Sequence, residues 1–312
     1  MTDIFNHAHE TQIDLTTHFE SSLEVLMEKY LGQSQDGGTP SRLADSIRYS
    51  LLAPGKRIRP RLLLTCAKML DLPIEQAMPA AVALEMIHCF TLIHDDLPCM
   101  DNDDFRRGRP SNHKKFDEST ALLAGDGLMA LAIEVFLESP VKPFALHKGL
   151  KRLLWALGPR GVIGGQAAEA SLNTRSSLND LKLMHRQKTG ALFTAALLLP
   201  YDLRPHDLSQ MQINNENTQE GKTLASFADA LGLAFQMADD LEDEAQGTLL
   251  GPESRNPNNV LFYLSPQEAS KQASDTLRAA TYEVTQIWKE KTQPLATLAD
   301  EVLEKLKSSC KV

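Results

Sequence analysis

Two apolar stretches of this chain each run directly into a set of aspartates, and no other feature limits the fold so sharply. The first is "AVALEMIHCFTLIHDDLPCMDNDDFRRGRP", residues 81 to 110, whose last seventeen positions hold five aspartates and three arginines. The second is "GLAFQMADDLEDEAQG", residues 232 to 247. In the first, Glu85, His88, Thr91 and Asp95 recur at steps of three, three and four, which on a helix makes one stripe. Most positions between them are apolar, so the stripe reads as a polar seam facing a cavity from a buried helix. Asp101 lies too far along to share that face on an unbroken helix. Pro98 disturbs the turn, and the bulge is expected to return Asp101 to the side of Asp95 and Asp96. In the second stretch Gln236, Asp239, Asp240 and Asp243 stand at i, i+3, i+4 and i+7, a single face, while Glu242 and Glu244 add charge elsewhere.

An isolated acidic run is most often a solvated helix face. Two such runs, each closing an apolar helix, suggest instead one site with two acidic walls. Crowded carboxylates tend to protonate unless a cation joins them. Oxygen donors with no accompanying His or Cys cluster suit Mg²⁺ better than Zn²⁺.

The remainder reads as helix. Ala and Leu dominate, no long run is rich in Val, Ile and Thr, and short breaks occur at "GQSQDGGTPS", "LAPGKRIRP", "DLPIEQ", "ESPVKP" and "LGPRG". Polar stretches at 201–221 and 246–260 have the composition of surface loops, not of interdomain linkers. The expectation is one all-α domain over residues 1–312, of roughly ten or more helices by this pattern, around a deep central cavity. A net charge of −9 argues against nucleic acid as a partner, because phosphate neutralisation supplies most of that affinity. Cys66, Cys89, Cys99 and Cys310 show no metal-ligand spacing and suggest a reduced, intracellular chain. No uninterrupted apolar run reaches the roughly 18 residues of a membrane span, the N-terminus lacks the order of a signal peptide, and "SSCKV" is not a prenylation box. A cytoplasmic protein is expected.

Cations gather in "PGKRIRPR", where Lys56, Arg57, Arg59 and Arg61 surround an expected helix start at Pro60. Helix N-termini favour anions, and these side chains would reinforce the preference. Arg106 and Arg107 follow the first acidic set. Lys188 and Thr189 open the apolar helix of "HRQKTGALFTAALLL", with His185 one turn earlier. Such groups are more often surface charge; their association with the acidic sets raises the odds of a site. Metal-binding aspartates with guanidinium groups specify an oligophosphate, and no Gly-rich loop ending in Lys-Ser/Thr marks a nucleotide site. A greasy cavity specifies an apolar tail. Prenyl diphosphates have both.

At these residues the chain resembles the trans-polyprenyl diphosphate synthases, specifically the bacterial farnesyl/geranyl diphosphate synthase type, from about Ser41 to Val260. "GKRIRP", "HDDLPCMDNDDFRRG" with its two-residue insertion, "GGQ" at Gly164 to Gln166, "KTG" at Lys188 to Gly190 and "FQMADDLED" occur in the family's order. The resemblance implies the isoprenoid synthase type of helical bundle, and a homodimer. It implies that Asp95, Asp96 and Asp101 bind two Mg²⁺ ions, and that Asp239, with Asp240 and Asp243, holds a third. Arg106, Lys188 and Thr189 would contact the allylic diphosphate, with Gln236 nearby. Lys56, Arg57, Arg59, His88 and Arg107 would receive isopentenyl diphosphate. Asp95, Asp96, Asp101, Arg106, Lys188 and Asp239 would form the catalytic set. The implied reaction is ionisation, condensation and elimination, giving geranyl or farnesyl diphosphate. The resemblance also makes Phe90, beside Thr91, the limit on product length, some 6 to 8 Å below Asp95 at the helical rise. On composition alone Phe90 is core filler.

The match weakens after Asp243. Family members usually carry lysines there, whereas "DEAQGTLLGPESRNPNNVLFYLSP" has none, and Glu169 stands where Asp is common after "GGQ". The lost cations suggest weaker allylic binding or an altered substrate range. Alternatives are a geranylgeranyl diphosphate synthase, a terpene cyclase, which has no use for "GKRIRP" and His88, and a non-catalytic synthase-like subunit.

Overall fold

The computed structural model describes residues 2–32, 38–205, 218–245 and 256–309, with side chains from Asp14 onward. The described residues form α1 (Thr2–Leu31), α2 (Ser41–Leu51), α3 (Ile58–Met69), α4 (Ile74–Asp95), α5 (Asn112–Lys115), α6 (Glu118–Leu137), α7 (Pro143–Leu157), α8 (Val162–Glu169), α9 (Leu178–His185), α10 (Ala191–Leu203), α11 (Gln219–Ala245), α12 (Pro266–Trp288) and α13 (Gln293–Ser309). They bear out the all-α expectation with one addition, a small hairpin of β1 (Phe105–Arg106) and β2 (Arg109–Pro110).

Helices α4 and α10 occupy the centre because their sequences leave almost no face for water. In α4 every residue from Ala80 to Ile87 is buried, and α10 buries all but Thr194. α4 packs on α3, α6 and α10, while α10 also meets α7 and α11. Each fully buried Leu, such as Leu84 or Leu197, contributes about 1.5–3 kcal/mol of transfer free energy. The outer helices are amphipathic instead. α12 turns Ala269, Ala273, Leu277, Ala280 and Val284 inward at steps of three and four. It begins at a capping box, in which Ser265 and Glu268 satisfy each other's backbone N–H, with Pro266 in the first turn.

By length and composition α4 and α6 could each cross a membrane, a property not apparent from uninterrupted apolar runs. In α4, 72% of the apolar window is buried inside the bundle, so its hydrophobicity is already satisfied by protein.

The hairpin has a local cause. Arg107 and Gly108 join its strands with φ of 53° and 73°, the two left-handed positions of a type I′ turn. Gly adopts that conformation freely and Arg does not, so Arg107 is held in a strained position. Asn112 anchors the far side: its amide donates to Ser46 O (3.0 Å) and Ser50 Oγ (2.8 Å) and accepts from Ser46 Oγ (2.8 Å).

Candidate active site

The chain after Asp95 turns back as the sequence predicts. The Asp101 amide donates to Asp95 O at 2.8 Å, and Asn102, at φ 56°, donates to Leu97 O at 3.1 Å. Asp101 is thereby returned to the C-terminus of α4, exposed, while Asp95 is partly buried. Burial chiefly pushes the Asp95 carboxyl up to about 6; Asp101 and Glu169 add to the rise, and Lys188 and Arg106 oppose it. Asp96 sits differently. It is buried, and Arg106 Nε donates to its Oδ1 at 2.8 Å while Arg106 also reaches Asp103 at 2.7 Å. Asp96 and Arg106, expected at the metals and the diphosphate, are paired with each other.

The second wall is shielded by other means. Asp240 is buried, accepting from Val260 N at 2.8 Å and Gln236 Nε2 at 3.0 Å. Burial pushes it up to about 7, against those two hydrogen bonds and with help from Asp239 and Asp243. Asp243 is raised too, by burial and then by Asp239 and Glu242. Thr189 Oγ1 donates to Gln236 Oε1 at 2.9 Å, which ties the "KTG" segment to α11. That segment, Arg186–Gly190, is a π-helical turn between α9 and α10, a form frequent at functional sites. Lys188 there is ion-paired with Glu169 of α8. α8 comes so near that a Cβ on Gly165 would stand 2.1 Å from the Lys188 nitrogen, so the second glycine of "GGQ" is required for packing.

Lys305 was missed from sequence. This α13 side chain is ion-paired with Asp239 and lies 2.8 Å from Glu242 Oε2. One of two lysines on an amphipathic helix, Lys305 gives no signal of its own. The stretch where lysines usual in the family are missing, residues 246–255, lies outside the described residues.

Beside the second wall is a cleft of about 390 Å³, which Asp239 lines and which Asp95, Asp96 and Asp101 do not. Lys56, Arg59, His88, Arg107, Thr189, Gln236 and Asp239 all line it, so α3, α4, the hairpin turn, the π turn and α11 meet in one space. The Arg59 guanidinium lies 5.4 Å over the Phe193 ring, and its Nε has no hydrogen-bond partner among the described residues. Burial lowers it to about 10, which still leaves it cationic at neutral pH. His88 is driven well below its ordinary value, first by burial and then by Arg59 and Arg107, and is neutral. Arg57 lines the same cleft but its donors are taken: Glu85 Oε1 at 2.8 Å, Glu20 Oε1 at 2.8 Å, and the carbonyls of Leu51 and Ala53. At φ 46° on the N-terminus of α3, it fixes the loop instead of offering a free charge. Phe90 and Thr91 do not line this cleft. Phe90 is buried edge-on to His94, ring centres 5.7 Å apart, and Thr91 Oγ1 donates to His88 O at 2.8 Å.

The donor set is chemically right for a hard divalent ion: clustered carboxylate oxygens, several held at raised pKa by burial. Among the described residues no three potential ligands yet converge on one point.

A helical bundle with two acidic helix ends and a cationic cleft beside the second is the architecture of the all-α isoprenoid synthases. A family model described as "Polyprenyl synthetase" matches residues 40–248, and the chain belongs to that family. Its relatives include a farnesyl diphosphate synthase of Geobacillus stearothermophilus, 39% identical over 72% of each chain. A geranylgeranyl diphosphate synthase of Cyanophora paradoxa is 34% identical over 95% of this chain and 98% of that one. Among solved structures, a geranyltransferase from Legionella pneumophila superposes with a TM-score of 0.80 at 27% identity, covering 96% of this chain and 98% of that one. The chain is a prenyltransferase.

Proposed function

We propose that the protein condenses isopentenyl diphosphate with dimethylallyl or geranyl diphosphate to make geranyl and farnesyl diphosphate. The observation that carries this reading is the single cleft shared by the "GKRIRP" cations, His88 and the second aspartate wall. Lys56, Arg59 and Arg107 receive the diphosphate of isopentenyl diphosphate; the unpartnered Arg59 Nε supports that role. Neutral His88 donates a hydrogen bond there without adding charge. Arg57 is assigned to holding that loop. Lys188 and Thr189, with Gln236, face the allylic diphosphate, and Arg106 joins them once released from Asp96.

Asp95, Asp96 and Asp101 on one side and Asp239, Asp240 and Asp243 on the other are the residues that would hold Mg²⁺, on which the family generally depends. Bound there, up to three ions would supply Lewis-acid neutralisation of the leaving diphosphate. The protein's own part is to hold the two diphosphates apart, add cationic charge and exclude water that would quench an allylic cation. No nucleophilic side chain is needed, and the departing diphosphate takes the proton that completes the new double bond. Phe90, five residues before Asp95 and therefore about 7.5 Å deeper, is assigned to product length; its burial in α4 supports a rigid floor. The exposed Leu122 and Leu123 of α6 and Phe144 and Leu154 of α7 favour a homodimer through those helices. Burial of α4 inside the bundle favours a soluble, cytoplasmic enzyme.

The test is direct. Purified protein with Mg²⁺, labelled isopentenyl diphosphate and each allylic diphosphate should yield fifteen-carbon product as the longest species. Binding of both substrates with no product from any pair would favour a non-catalytic subunit. A twenty-carbon product would make it a geranylgeranyl diphosphate synthase.

A further inference from the structure

Away from the cleft of His88 and Asp239, the face that α7 turns toward α10 is basic. Lys148, Lys151, Arg152 and Trp155 stand at i, i+3, i+4 and i+7 and line one cavity of about 760 Å³. Arg160 joins from the turn after α7, and Lys222 from the first turns of α11. Leu198 of α10 and Ala225 of α11 add an apolar side. The cavity shares no lining residue with the cleft of His88 and Asp239. Phe193 of α10 packs on Phe235 and under Arg59, so α10 stands between the two spaces.

The charge is uneven in depth. Behind the lining, buried Asp202 is ion-paired with Arg152 and lies 2.9 Å from Lys148 Nζ. That carboxylate fixes the two inner cations. The outer three, Lys151, Arg160 and Lys222, have no carboxylate partner, and no acidic residue lines the cavity, among the described residues. A chain of net charge −9 gains nothing in stability from collecting the three outer cations around one space unless an anion offsets their repulsion. Three adaptable cations at the rim match the oxygens of a phosphate chain, and the Trp155 indole with Leu198 offers a flat apolar surface beside them.

We infer that this cavity is a second anion site, separate from the aspartate walls, taking a small molecule that bears a diphosphate. The phosphate chain meets Lys151, Arg160 and Lys222, and any planar or apolar remainder lies on Trp155. Inorganic pyrophosphate, a nucleoside diphosphate and a prenyl diphosphate share this chemistry.

The chain has two tryptophans, so Trp288→Phe leaves Trp155 as a reporter inside the site. Titration of that variant with pyrophosphate, ADP or geranyl diphosphate, each in excess EDTA to silence any metal-dependent site, should give a saturable fluorescence change with at least one ligand. Which ligand saturates identifies the source. Adding Lys151→Glu, Arg160→Glu and Lys222→Glu should weaken binding by at least about tenfold, through lost charge-assisted contacts. The single exposed Lys222→Glu, which places an acid in the early turns of α11, should fold if the triple variant does not and should weaken binding by about threefold. No saturable change up to millimolar ligand, or equal binding by the variants, overturns the inference. Neither result bears on the prenyl-transfer assay, which reads the other site.

Discussion

The two aspartate walls share a residue pattern but are completed in opposite ways. At the end of α4 the hydrogen bonds are local: Asp101 folds back on Asp95, and Asp96 pairs with Arg106 ten residues on. At the end of α11 the partners come from afar. Val260 N reaches Asp240 across a separation of 20 residues, and Lys305 reaches Asp239 across 66. The first wall is therefore set when its own segment folds, whereas the second is finished only when α13 docks. In both, a protein cation stands against a carboxylate assigned to a metal, so metal binding must exchange partners on each side.

The largest effects come from testing whether the walls are chemically equal despite that difference. Asp95→Asn and Asp239→Asn should each lower kcat by about 10³ or more, since each removes charge that neutralises the leaving diphosphate. Product formation under saturating substrates reads this, with circular dichroism checking the fold. Retention of activity by Asp239→Asn would make the second wall dispensable and undo the comparison.

Arg106→Ala tests the local clamp. It leaves Asp96, 3% exposed, without its cation, while Arg106 itself is 35% exposed. An uncompensated buried carboxylate should cost about 2–3 kcal/mol, short of the full buried-pair loss because of that exposure. Urea unfolding without metal measures it, and Asp96→Asn in the same chain should restore part of the loss. An unchanged midpoint would mean that the pair does not form in solution.

These contrasts explain what the sequence could reveal. The stripes of α4 and α11, the return of Asp101 and the burial of α10 follow from spacing and hydrophobic periodicity, which are local. The hairpin turn at Arg107–Gly108 was not read, because "RG" lies in a segment dominated by charge. The commitment of Arg57 to Glu85 and Glu20, and the arrival of Lys305, depend on which helices meet, and no single stretch encodes that. Glu85 was read in the polar stripe, but its partner could not be.

Acid should act on the second wall's side first. His185 backs the π turn that leans on α11, and burial lowers it to about 4, against a hydrogen bond with the Asn258 backbone. The unfolded chain, with its histidine near 6.5, then binds more protons than the folded one between those values. Stability is full above pH 6.5 and falls as pH drops toward 4, by about 3 kcal/mol for this group. Raised carboxyls such as Asp95 and Asp240 work with the opposite sign, holding protons in the folded state up to about 6 and 7. Melting of the metal-free protein across pH 4–7, with and without His185→Gln, separates the two. If the substitution leaves the acid limb unchanged, His185 is not its source.

The smallest effect sharpens the comparison most. Lys305→Met removes the distant clamp from Asp239, which is 37% exposed beside a lysine at 21%. So exposed a pair should contribute under about 1 kcal/mol, and the melting temperature should barely move. Its influence should appear in metal binding, because Lys305 competes for the oxygen that a divalent ion would take. With no substrate present, Mn²⁺ affinity measured by electron paramagnetic resonance should tighten by up to about fivefold, the equivalent of that same pair energy. Arg106→Ala should not reproduce this gain at the second wall. Unchanged or weaker Mn²⁺ binding in Lys305→Met would show that α13 does not hold Asp239 in solution, and that the second wall, like the first, is completed from its own segment.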